Sequence, residues 1–108
     1  MIRKCLFQSQ GLNIVTLLFA SVAGDIAALQ RLHLQDIDMG AADYDGRTAL
    51  HLAAAEGHTE CVRFLLDICQ VDPNPEDRWG HTPLQEAERG NHDKVVDVIR
   101  ESIINRNL

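Results

Sequence analysis

The sequence lacks every compact signature of catalysis. Its 108 residues hold no GxSxG, SxxK, P-loop or GxGxxG, so neither a nucleophile elbow nor a phosphate cradle is readable. Metal-ligand spacing is missing too. There is no CxxC, no HxxxH and no calcium-loop pattern among the acidic residues Asp43, Asp45 and Asp77. The 3 cysteines are an odd number without CxxC spacing, which suits a reducing compartment. No apolar run reaches the roughly 20 residues that a membrane span requires. Positive charge is scarce, with Lys and Arg totalling 10 against 16 Asp and Glu, a formal net charge of −6. That balance excludes binding to a phosphate backbone, which needs Lys and Arg clustered on one face.

What the chain does have is an internal repeat. Asp45-Gly46 is a turn dipeptide, and Thr48 stands where a helix N-terminus needs a side-chain oxygen. Leu52 to Glu56 is helix-forming, and Gly57 stops that helix without a Cβ penalty. Glu60 to Ile68 then places Val62, Leu65 and Leu66, with Cys69 beyond, on one side of a second helix. The pairs Gly46 and Gly80, Thr48 and Thr82, Leu50 and Leu84, Ala53 and Ala87, His58 and His92, and Val62 and Val96 are each 34 apart. Backwards, Leu17 and Leu50, Ala20 and Ala53, Gly24 and Gly57, Leu29 and Val62, and Leu32 and Leu65 are each 33 apart. With Thr48-Ala49-Leu50-His51 and Thr82-Pro83-Leu84, this period resembles the ankyrin repeat, whose signature is Thr-Pro-Leu-His-x-Ala.

The resemblance implies an all-α solenoid of paired antiparallel helices with extended finger loops, as two full repeats and a leading partial repeat. The expected organisation is an irregular lead-in over 1–11, a repeat domain over 12–104 divided near 12–42, 43–76 and 77–104, and a frayed tail over 105–108. Arg3-Lys4, the apolar run Leu12 to Ala20, and Ser21-Val22-Ala23 together have the form of a cleaved secretory signal. The 33-residue register runs straight through that segment, so it is read as the first inner helix. Asp25 should cap the following helix, whose apolar face is Ile26, Leu29, Leu32 and Leu34. Ile37 and Met39 should tuck beneath the first finger, Pro73 and Pro75 keep the next finger extended, and Pro83 suits the first helical position.

No histidine reads as a general base. His51 should bond the Thr48 hydroxyl and the backbone of a neighbouring finger, since Gln85 takes its place one repeat later. His58 and Cys61 lie on one helix without a third ligand, so neither a metal nor a cofactor is expected. Cys61 and Cys69 read as small apolar residues. Repeat position exposes Tyr44, Asp45, Arg47, Ala55, Glu56, Arg78, Trp79, His81 and Arg89 on the concave face as candidate partner contacts. Trp, Tyr and Arg dominate measured hot spots; the competing reading of Trp79 packs it on Pro73 or Pro75. Arg47, Arg78 and Arg89 suggest a basic strip for an acidic peptide or domain surface.

A narrower resemblance rests on Leu18-Phe19-Ala20, Gly24-Asp25, Asp43-Tyr44-Asp45, Arg47 to His51, Ala53 to His58 and Asp77-Arg78-Trp79-Gly80. Together these are similar to the C-terminal ankyrin segment of animal-type glutaminases. That resemblance implies a non-catalytic tail of an amidohydrolase that converts glutamine to glutamate and ammonia, with a mitochondrial parent. Its partner would be a protein, either the parent's catalytic domain or another, with no nucleic acid and no membrane; oligomeric state is left open. The alternative is an interaction module of an unrelated channel or signalling protein, which would be cytoplasmic.

Overall fold

The computed structural model describes the backbone of residues 2–106 and the side chains of residues 13–106. Its elements in order are α1 (Ile2–Ala23), α2 (Ile26–Leu34), α3 (Ala49–Ala55), α4 (Thr59–Arg63) with a π-helical continuation (Phe64–Ile68), α5 (Pro83–Arg89) and α6 (Asp93–Arg106). The inner helices α1, α3 and α5 stack in sequence, and α2, α4 and α6 form the outer layer, so this is the all-α ankyrin solenoid. Among the described residues there is no strand, only an isolated antiparallel bridge between Ala42 and Thr48 at the base of the first finger.

Local chemistry explains several helix starts and both finger turns. The Thr48 hydroxyl accepts from His51 N–H while the His51 ring closes back on Thr48 N–H, and Thr82 with Gln85 repeats that capping box. Pro83 follows Thr82 at the helix start, where no N–H is needed. Asp25 caps α2 through Ala28 N–H. Each finger turn is built on an aspartate. Asp43 Oδ1 accepts from Asp45 and Arg47 N–H, and Asp77 Oδ1 accepts from Trp79 and His81 N–H, all at 2.9 Å.

The core lies between the layers. Leu17, Leu29, Leu50, Ala53, Val62, Leu65, Ala87 and Ile99 are fully buried. Met39 is buried and Ile37 half-buried against that core, as the tucked finger requires. Small residues let the inner helices approach closely, and the glycines that end them are tighter still. A Cβ on Gly24 would stand 2.7 Å from the His58 ring, and one on Gly57 would stand 2.5 Å from the His92 ring. Those rings reach back across the stack. His58 Nε2 is bonded to the Val22 carbonyl at 2.7 Å and His92 Nε2 to the Ala55 carbonyl at 3.0 Å, so each caps the exposed end of the preceding inner helix.

Four sequence expectations need correction. The lead-in expected over 1–11 is helical from Ile2, where α1 begins, and position 1 lies outside the described residues. Asn105 and Arg106 are not frayed but complete α6; positions 107–108 lie outside the described residues. Leu34 does not join the apolar face of α2 and is 82% exposed. It follows Leu32 by two positions, a rotation of about 200° around the helix, which carries it away from the core. The helix expected over Glu60 to Ile68 widens to π geometry after Arg63, where the Cys69 N–H reaches back five residues to the Phe64 carbonyl.

Candidate functional site

The two finger turns repeat in register. Arg78 N–H donates to the Asp45 carbonyl at 2.9 Å, tying the second finger turn to the first. His51 Nε2 meets the His81 carbonyl at 2.8 Å and fixes the second finger to α3, the structural role its sequence position suggests. Tyr44 is 95% exposed and Trp79 is 58% exposed, so Trp79 does not pack away beneath its own finger. The Arg78 guanidinium lies over both rings, 5.8 Å from Tyr44 and 5.4 Å from Trp79. Arg47, Glu56 and Arg89 are exposed, and Asp45, Ala55 and His81 are half-buried.

Beside this stack runs a groove of about 320 Å³, lined by Arg47, His51, Leu52, Ala55, Asp77, Trp79, His81, Glu86 and Arg89. It joins four of the expected residues, Arg47, Trp79, His81 and Arg89, to Ala55 from the wider concave set. Tyr44, Asp45, Glu56 and Arg78 stand outside its lining. Leu52 and Glu86 were not expected here. They occupy equivalent positions on α3 and α5, 34 apart, so the repeat register contains the signal that finds them.

The arginines do not form a free basic strip. Arg47 pairs with Asp43 at 3.6 Å and Asp45 at 3.3 Å, Arg78 with Asp45 at 3.0 Å, and Arg89 with Glu86 at 3.4 Å. Each guanidinium is matched within the strip, so the surface alternates in sign. The carboxylate of Asp77 is the best-defined charge. Burial pushes its pKa upward, but the N–H groups of His81 and Trp79, helped by the His81 and His51 rings, outweigh that and hold it below the usual value.

Nothing in the groove resembles an activated nucleophile. The Cys61 thiol is raised by burial and by the nearby Asp25 and Glu60 carboxylates, and burial pushes Cys69 up to about 11. Both sit in the helix layer as small apolar groups, and neither lines the groove. His58 Nε2 is bonded to the Val22 carbonyl, and Cys61 is buried. Among the described residues no helix is long and apolar enough to cross a membrane.

Comparison with known proteins agrees with this architecture. Residues 17–107 match the family model for ankyrin repeats in 3 copies. The chain is 51% identical over 89 residues to the mitochondrial liver isoform of glutaminase from Mus musculus, covering 82% of this chain and 15% of that protein. It is 45% identical over 73 residues to putative glutaminase 2 of Caenorhabditis elegans, covering 68% of this chain and 12% of that one. Serine/threonine-protein kinase 12 of Arabidopsis thaliana is 41% identical over 86 residues, covering 80% of this chain and 18% of the kinase. The chain thus spans less than a fifth of the length of these relatives and is similar to the ankyrin region of the glutaminases. With its period, capping boxes, stacked inner helices and matched family model, the chain belongs to the ankyrin-repeat family.

Proposed function

We propose that this chain is a non-catalytic, regulatory protein-interaction module of a glutaminase whose parent reaction converts glutamine to glutamate and ammonia. The parent would be mitochondrial, as the name of its mouse relative indicates for that protein. The docking face is the concave one, made by Tyr44, Asp45, Arg47, Glu56, Arg78, Trp79, His81 and Arg89. One observation carries this reading: the exposed stack of Tyr44, Arg78 and Trp79, with the guanidinium within 6 Å of both rings. Aromatic and Arg side chains held rigid before binding lose little conformational freedom on association.

The internal ion pairs change the partner expected from charge alone. An acidic surface would have to compete with Asp45 and Glu86 for the arginines. A partner of mixed charge, with an apolar or aromatic group that covers Trp79, fits better, and its binding should depend only modestly on salt. The parent's catalytic domain is the first partner to test. Replacing Arg47, Arg78 and Trp79 together by Ala should leave the helical circular dichroism intact and abolish association in calorimetry. A folded triple variant that associates normally would move the site to the convex helices. Glutamine turnover by the isolated chain would end the non-catalytic reading. Similarity to a plant kinase favours a second reading, an interaction module of a signalling protein, which failure to bind the catalytic domain would support.

A further inference from the structure

The geometry points to a divalent transition-metal site in the third repeat, formed by Asp77, His81 and Glu86. One ligand atom from each lies within 4.8 Å of the other two. His81 Nδ1 stands 3.9 Å from Asp77 Oδ2 and 3.8 Å from Glu86 Oε2. A tetrahedral shell with bonds of about 2.0–2.1 Å separates its ligand atoms by about 3.3 Å, so the two His81 distances must contract by about half an ångström and the Asp77–Glu86 distance by at most about 1.5 Å.

The donors are prepared for this. Asp77 spends Oδ1 on the two turn N–H groups, which leaves Oδ2 facing His81. Glu86 is held in the first turn of α5, behind the Thr82–Gln85 capping box. The Arg89 Nη2 atom lies 3.4 Å from His81 Nδ1 and 3.4 Å from Glu86 Oε2. A guanidinium can only donate, so Nδ1 turns its lone pair toward the space a metal would enter. The slot therefore already holds a cationic group, and Arg89 is exposed enough to swing out when an ion displaces it.

The preceding repeat gives an internal comparison. Asp43, Arg47 and Leu52 stand at the equivalent positions, and there the Arg47 guanidinium itself meets the finger aspartate at 3.6 Å. In the third repeat the guanidinium of Arg89 meets Glu86 and His81 instead of the finger aspartate. Only the third supplies an imidazole and a second carboxylate, the nitrogen and oxygen donors that suit zinc. Three protein ligands would leave a fourth position open to the groove, for water or for a side chain of a bound partner.

Trp79 provides the readout. It is the only tryptophan, it lines the same groove, and its N–H is bonded to Asp77. Chelator-treated protein is titrated with zinc sulfate at neutral pH, following Trp79 emission, with calorimetry for stoichiometry. One equivalent should bind saturably. His81→Ala and Glu86→Gln should each weaken binding about tenfold or more, with circular dichroism verifying the fold. Arg89→Ala should tighten it roughly 2- to 5-fold, the fold-change given up with an ordinary exposed ion pair. A titration without saturation overturns the site. So does full-affinity binding in folded His81→Ala, or an Arg89→Ala variant that binds no more tightly than wild type.

Discussion

Gly57→Ala tests the joint between repeats most directly, because Gly80 supplies a matched control. Both glycines are left-handed, Gly57 at φ +75° and Gly80 at φ +81°, so an added Cβ strains both backbones alike. That strain costs about 1–2 kcal/mol at each position. Their surroundings differ completely. A Cβ at Gly80 meets nothing within 4 Å, whereas at Gly57 it stands 2.5 Å from His92 Nδ1 and 2.7 Å from its Cε1. The ring must move, and its bond to the Ala55 carbonyl goes with it. Losing that bond and leaving the carbonyl short of a partner costs about 1–3 kcal/mol beyond the strain. At about 4 °C per kcal/mol for a domain of this size, Gly57→Ala should melt roughly 4–12 °C below Gly80→Ala. Thermal scans at neutral pH measure this. A double-mutant cycle sharpens it: with His92→Ala in place, the two glycine substitutions should cost nearly the same. Equal melting temperatures in the wild-type background would refute the claim that His92 docks on Gly57.

Two further predictions concern the core and acid stability. Leu65 is fully buried in the helix layer, and Leu65→Ala should destabilise by about 2–5 kcal/mol; a melting temperature within a degree or two of wild type would reject that placement. Asp77 has a lowered folded-state pKa, so its stabilisation is present above its unfolded value near pH 4 and is lost as pH falls through the folded value. Asp77→Asn, which retains an oxygen acceptor for the turn, should make the acid limb of urea midpoint against pH shallower; an unchanged limb would reject the linkage.

Most of the architecture was legible because ankyrin structure is written in nearest-neighbour positions. Thr48 with His51 and Thr82 with Gln85 are caps three residues apart, and Pro83 and Gly57 have local backbone meanings. His51 could be assigned to the neighbouring finger because its replacement by Gln85 ruled out a base. What escaped depends on groups distant in sequence or on subtle backbone geometry. Arg78 and Asp45 are 33 apart, and no composition rule reveals that the carboxylate quenches the arginine. The widening after Arg63 leaves no mark that propensity can see. His58 and His92 matched at the repeat period, but their role appears only once the carbonyls of Val22 and Ala55 are seen beside them.

The histidine–glycine joint is made twice among the described residues. Stepping through the repeats, the residue that ends each inner helix in left-handed conformation is Gly24, then Gly57, then Asn91 at φ 59°. Gly24 and Gly57 must lack a Cβ because a histidine of the next repeat occupies that space. Asn91 differs in carrying a Cβ, and Asn tolerates the left-handed conformation by itself. In the first repeat the position of His58 and His92 is held by Asp25, which caps α2. The joint lies at the ends of the inner helices, whereas Tyr44, Arg78 and Trp79 are exposed on the finger turns, so breaking it with Gly57→Ala should leave the arginine–aromatic contact in place.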